Sequence, residues 1–216
     1  TTYDESAVRL AVDPAFGRII NSSNAAVLIE NNTGGTVNMT GSTIDDTGGT
    51  GIVIQNSAGN ATMDNAFIVD STGTGISVLN SSGTYFFRDT LRDATTITNA
   101  TGASVFIDGL QTTGRVNFEN LEIISPQGGG IAIDNLEGAF SFARDLTIGQ
   151  AAAGRVAPFI SVSNSLPTGV VNFSGDITIF ATPTTLATFS GGRGIELVGN
   201  AAGSSFTASG QTNITS

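Results

Sequence analysis

Two aspartates stand at the same index of two alike segments, Asp108 in SVFIDG (104–109) and Asp134 in GIAIDN (130–135). Glu30 holds that index in AVLIEN (26–31). If these segments stack, the aspartates become neighbours on one outer surface. Two carboxylates are what glycoside hydrolysis uses, one as acid and the other as nucleophile or base. The residues flanking them outward, Leu28, Val53, Leu79, Phe106 and Ala132, are apolar, and no Trp, His or Lys is present to grip a sugar. Asp108 and Asp134 are thus the candidates for catalysis, with plain surface solvation as the competing role. Asp45 and Asp46 precede a glycine-rich turn and could accept calcium, although a site of oxygens alone needs more converging ligands. The pairs Arg88-Asp89, Arg92-Asp93 and Arg144-Asp145 read as solvated corners with local ion pairs worth about 0–1 kcal/mol each.

Residue types that are missing narrow the chemistry further. The chain has no His, no Cys and no Trp, and all eight basic residues are Arg. A zinc site with nitrogen or sulfur ligands, a Cys–His nucleophile, a Ser-His-Asp triad and a lysine Schiff base all fall away. No cofactor is implied. A formal net charge of −10 opposes nucleic acid and anionic lipid. No apolar run is long enough for a membrane-spanning helix. Apolar residues make up 39% of the chain, enough buried surface to offset the ordering entropy that keeps poorer sequences disordered.

The elements that would position these residues come from an internal repeat. AVLIEN (26–31), GIVIQN (51–56), GISVLN (75–80), SVFIDG (104–109), GIAIDN (130–135), FISVSN (159–164) and GIELVG (194–199) each alternate with period two. A second ladder follows each of them: GTVNM (35–39), GNATM (59–63), GTYFF (83–87), GRVNF (114–118), GAFSF (138–142), GVVNF (169–173) and GSSFT (203–207). A third, looser strand carries Ile44, Ile68, Ile123, Ile148, Ile179 and Ile214. Three short one-in, one-out strands cannot bury their apolar faces alone. Stacked as coils about 4.8 Å apart, like strands run parallel and inward residues form columns.

Val27, Ile52, Ile76, Val105, Ile131, Ile160 and Ile195 make one column, and Ile29, Ile54, Val78, Ile107, Ile133, Val162 and Leu197 its neighbour. Met39, Met63, Phe87, Phe118, Phe142 and Phe173 make the core stack of the second ladder. Each buried side chain is worth roughly 1.5–3 kcal/mol, so seven coils supply a core without metal or disulfide. Coils longer than the bare repeat place insertions at 92–101, 149–157 and 180–193, on the outer surface. In the last coil, Ser205 and Thr207 fall where the second ladder expects apolar residues. Residues 1–24 fit the repeat poorly and are assigned to an N-terminal cap or a preceding partial coil, and 25–216 to the solenoid.

Asn31, Asn56, Asn80, Asn135 and Asn164 end the first strand of their coils, with Gly109 and Gly199 in their place elsewhere. Asn and Gly share tolerance of the left-handed region, and the pattern reads as a structural turn column. Two of eight N-x-[ST] sequons, at Asn31 and Asn80, lie in that column, and glycosylation is not expected there.

The ladders and the asparagine column resemble right-handed parallel β-helices of the pectate-lyase-like superfamily, and most closely the passenger or stalk regions of bacterial surface proteins. The resemblance implies an all-β solenoid of about seven coils with three short strands each. Family enzymes of this fold set a basic residue among calcium-binding acids, and nothing in this sequence matches that arrangement. The expected role is a non-enzymatic, extracellular or cell-surface stalk, surface-layer, adhesin or filament block, with a carbohydrate-active β-helix using surface carboxylates as the alternative. Expected partners are copies of the chain joined head-to-tail or flanking coils of a longer chain, and surface glycans or a cell receptor. The run QTNITS (211–216) has no helix, Pro cluster or charge run to blunt an open strand edge, which is the basis for expecting such completion.

Overall fold

The computed structural model describes residues 18–20, 22–45, 47–89, 94–149, 159–180 and 194–215. Among them no helix forms, and 22 strands fall into three parallel sheets. The first sheet stacks β2 (Val27–Glu30), β5 (Ile52–Gln55), β8 (Ile76–Leu79), β11 (Val105–Asp108), β14 (Ile131–Asp134), β17 (Ile160–Ser163) and β20 (Ile195–Val198). The second stacks β3 (Thr36–Thr40), β6 (Asn60–Asp64), β9 (Thr84–Arg88), β12 (Arg115–Phe118), β15 (Ala139–Phe142), β18 (Val170–Phe173) and β21 (Ser205–Ala208). The third stacks β1 (Arg18–Ile20), β4 (Thr43–Asp45), β7 (Phe67–Val69), β10 (Thr95–Thr98), β13 (Leu121–Ile124), β16 (Leu146–Gly149), β19 (Ile177–Phe180) and β22 (Thr212–Thr215). The chain is a parallel β-helix of seven coils, three strands to a coil, with one further strand in the third sheet.

Register follows the alternation. Val105 faces Ile76 on one side and Ile131 on the other, and Ile107 sits between Val78 and Ile133. In the second sheet, Phe118 lies between Phe87 and Phe142. Their rings stack with centroids 4.5 Å and 5.2 Å apart, near the rise of one coil, and Phe142 meets Phe173 at 5.0 Å. Phe140, from the neighbouring inward column, meets Phe142 edge-on at 5.1 Å. In the third sheet Ile44, Ile68, Ile97, Ile123, Ile148 and Ile179 are all fully buried along one column, with Ile19 at its start.

Two details depart from the sequence reading. The stretch 92–101 is not all outer loop, because Thr95–Thr98 is the third strand of its coil and Ile97 fills the isoleucine column. Strand β9 ends at Arg88, so the extra residues delay β10 past the usual spacing and conceal it. In coil seven the inward residues are Phe206 and Ala208 rather than Ser205 and Thr207, since Phe206 pairs with Val171 and Ala208 with Phe173. Register there counts from the turn residue Gly199, not from Gly203, and a one-residue slip exchanges the two faces of a strand. Arg18–Ile20 pairs in parallel with Thr43–Asp45, so the third sheet reaches back to residue 18. The rest of 149–157 and of 180–193 lies outside the described residues, apart from the strand ends Gly149 and Phe180.

Corners are built from left-handed residues. Asn31, Asn56, Asn80, Asn135 and Asn164 have φ between +47° and +51°, and Gly109 and Gly199 have φ of +67° and +65°. Asp70, Asn99 and Ser125 form a second such column after the third sheet.

Phe118→Ala should open a cavity between two stacked rings and lower unfolding free energy by about 3–5 kcal/mol in chemical denaturation. Phe106, outward and only half-buried between Ser77 and Ala132, should cost well under half of that when cut to Ala. Equal losses would contradict the register.

Candidate functional site

The fourth residue of each first-sheet strand faces outward beside the asparagine corner. Asp108 and Asp134 are register partners there, one coil apart. Their carboxylates are already engaged. The Asn135 Nδ2 donates to Asp108 Oδ1 at 2.8 Å, and the Asn164 Nδ2 donates to Asp134 Oδ1 at 2.8 Å. Asp134 Oδ1 also accepts the Asn135 backbone N–H and the Ser163 hydroxyl, each at 3.1 Å. Two amides of the turn column, those of Asn135 and Asn164, therefore bond to a carboxylate of the preceding coil. At the same index Gln55 Nε2 donates to Glu30 Oε1. A coil rise of about 4.8 Å is shorter than the 6.5–9.5 Å between the carboxyl groups of an inverting glycosidase and close to the 5–5.5 Å of a retaining one, so what marks these carboxylates as structural is the donors they already accept.

Gly109 shows how tight the column is. A Cβ there would lie 2.5 Å from the Asn80 Oδ1, on a backbone at φ +67° that L side chains disfavour. The Asn80 and Asn164 backbone N–H groups continue the first-sheet ladder to Asp108 O at 2.9 Å and Val198 O at 3.0 Å.

The richest cluster of charge lies at the corner between the second and third sheets, and its ion pairs join coils instead of neighbours in sequence. Arg88 donates through Nε to Asp64 Oδ1 at 2.8 Å and through NH2 to Asp64 Oδ2 at 3.2 Å, a bidentate pair across β6 and β9. The hydrogen bond to Asp64, and then the charges of Asp64 and Glu119, hold the Arg88 guanidinium above its ordinary pKa. Arg144 reaches Glu119 at 3.4 Å and Asp89 at 3.7 Å, spanning three coils. Asp89 is the buried member, with a side chain only 3% exposed. Its Oδ2 accepts the Asn120 Nδ2 at 2.8 Å, its backbone N–H donates to Glu119 Oε2 at 3.0 Å, and its Oδ1 has no partner. Asn120, Asp145 and Asp176 carry the corner onward, each accepting through Oδ1 the backbone N–H of Asp145, Asp176 and Gln211 respectively, at 2.8–3.1 Å. The Arg-Asp dipeptides suggest local pairs, whereas the pairs that form join residues one or more coils apart, a register that no dipeptide shows. Arg92 and Asp93 lie outside the described residues.

Asp45 closes β4 opposite Val69, and Asp46 lies outside the described residues. Among the described residues no group of three or more acidic side chains converges as metal ligands do. The arrangement's chemistry is acceptance of hydrogen bonds: carboxylates tie turn amides and backbone donors from coil to coil.

Gly109→Ala should lose about 1–2 kcal/mol from backbone strain, plus the clash with Asn80. Asn80→Gly should relieve part of that loss in the double variant, read as non-additive denaturation midpoints. Asp89→Asn keeps the bond from Asn120 but sets an amide donor where Oδ1 has no partner and breaks the ion pair with Arg144, so it should lose about 1–3 kcal/mol in chemical denaturation, and Asp89→Ala at least as much.

Compared with protein-family models, curated proteins and solved structures, the chain matches none, so its function is read from its own geometry.

Proposed function

We propose that the chain is a non-enzymatic structural and adhesive block of the cell exterior, a length of β-solenoid serving as stalk, surface-layer or filament material. The observation that supports this best is the unbroken parallel register of all three sheets, with inward columns continuous from the first coil to the seventh. Seven coils at about 4.8 Å each make a rod of roughly 30 Å. Each strand is held along the axis by the next, and the rod's length scales with the number of coils added. The carboxylates that could have pointed to catalysis serve the corners: Asp134 Oδ1 accepts three donors from its own chain. The composition supports the same reading, since it lacks the His, Cys and Lys on which most nucleophilic and metal chemistry rests. Partners on this reading are further coils or further copies along the axis, and surface glycans or a receptor on the outer faces.

Antibody labelling of intact, unpermeabilised source cells, viewed by electron microscopy, should place the chain outside the cell on extended rods. Labelling confined to the cell interior would overturn the reading. So would polysaccharide hydrolysis by the purified chain that Asp134→Asn abolishes.

A further inference from the structure

The two ends of the solenoid carry its unfinished business. The partly buried apolar residues packed against the core are Val27, Val37 and Met39 on coil one, and Ile195 and Phe206 on coil seven. Leu197 is 50% exposed, whereas its column mates Ile54, Val78 and Ile107 are fully buried. The backbone edges of β20 and β21 at one end, and of β2 and β3 at the other, have no strand beyond them among the described residues.

The strand count constrains how two such ends can meet. The third sheet has eight strands and the other two have seven, the extra one being β1 at the N-terminal end. Suppose a second copy sets its β2 on β20 and its β3 on β21. Both apolar columns of each sheet then run on: Val27 over Ile195, Ile29 over Leu197, Val37 over Phe206 and Met39 over Ala208. Large meets small in the second sheet, where Ala208 faces Met39 and Phe206 faces Val37. In that arrangement the second copy's β1 falls on the position that the first copy's β22 already holds. If β1 instead stacks beyond β22, the third sheets join while the first and second are left one strand apart, with their columns open.

Resting on the structural reading of the function, we propose that copies of this chain join head-to-tail by strand replacement: β22 of one copy takes the place of β1 against β4 of the next. The register permits it. Thr43, Ile44 and Asp45 share columns with Asn213, Ile214 and Thr215, the same columns that Arg18, Ile19 and Ile20 occupy. Strand β1 is the member easiest to give up, with three residues and a single neighbouring strand. The exchange surrenders three pairing positions and gains a coil of pairing in all three sheets. The formal charge of −10 repels copies, so joining strengthens as salt is added.

Cysteine pairs report the geometry without background, because the chain has no cysteine of its own. Parallel register partners lie about 4.8 Å apart at Cα, within the span of a disulfide. The double variant Thr43→Cys with Asn213→Cys is oxidised at low and high salt, beside Arg18→Cys with Asn213→Cys. Strand replacement gives a ladder of disulfide-linked multimers from the first pair, denser at high salt, and unlinked chains from the second. Ile19→Asp, which loosens β1 at its buried residue, then shifts light scattering towards larger species. A ladder from the Arg18 pair alone overturns strand replacement but leaves head-to-tail growth standing. Unlinked chains from both pairs, monomeric at every ionic strength, overturn the proposal and remove self-assembly from the reading of function.

Discussion

Each inward side chain of this protein stands on its own counterpart one coil away, because every strand finds its hydrogen-bond partner a full turn along the chain and in parallel. A column must then be filled by residues that pack against copies of themselves at a rise of about 4.8 Å. Isoleucine does this in the third sheet from Ile44 to Ile179, and phenylalanine in the second, where ring spacings of 4.5–5.2 Å match the rise. The same constraint governs the corners. A turn residue is stacked too, which admits only those that accept a left-handed backbone and whose side chains have somewhere to go. Asparagine meets both demands, and glycine at 109 and 199 accommodates the amide of the coil before it.

Stacking also explains the charged residues. Like charges in one column repel unless something intervenes, and at two corners the chain supplies the intervening group. In the second sheet Asp64 and Arg88 are register partners of opposite sign, and Glu119 occupies the next coil. At the asparagine corner, Asp108 and Asp134 are neighbours of the same sign, and the amides of Asn135 and Asn164 interleave with them. A pair that resembles a catalytic dyad in the sequence is, in the fold, part of the mortar between coils. Arg144 plays the corresponding part for Asp89 and Glu119 across three coils.

Much of this architecture is legible in the residues alone. The first-sheet strands declare themselves by aliphatic alternation closed by Asn or Gly, and the second by Gly followed by alternating apolar residues. Both columns of the first sheet and the Met–Phe stack of the second have the register expected for them. The third sheet is less legible. Strand β10 is TTIT, displaced by an insertion, and its Thr95 and Thr96 are buried polar residues that imitate a loop. Coil seven misled because Gly203 suggested an alignment one residue away from the one that pairing adopts. The ion pairs of the charged corner, and the carboxylate-to-amide bonds at Asp108 and Asp134, join residues 24 to 55 positions apart. Only a complete coil register brings them together.

That register is the claim on which the rest stands, and scalar couplings through hydrogen bonds in NMR measure it bond by bond. Parallel coils give couplings from the Val105 amide to the Gly130 carbonyl, from Asn80 to Asp108 and from Arg115 to Gly83, each a step of one coil. Couplings that instead joined these strands in reverse order, or paired strands adjacent in sequence as hairpins, would contradict it.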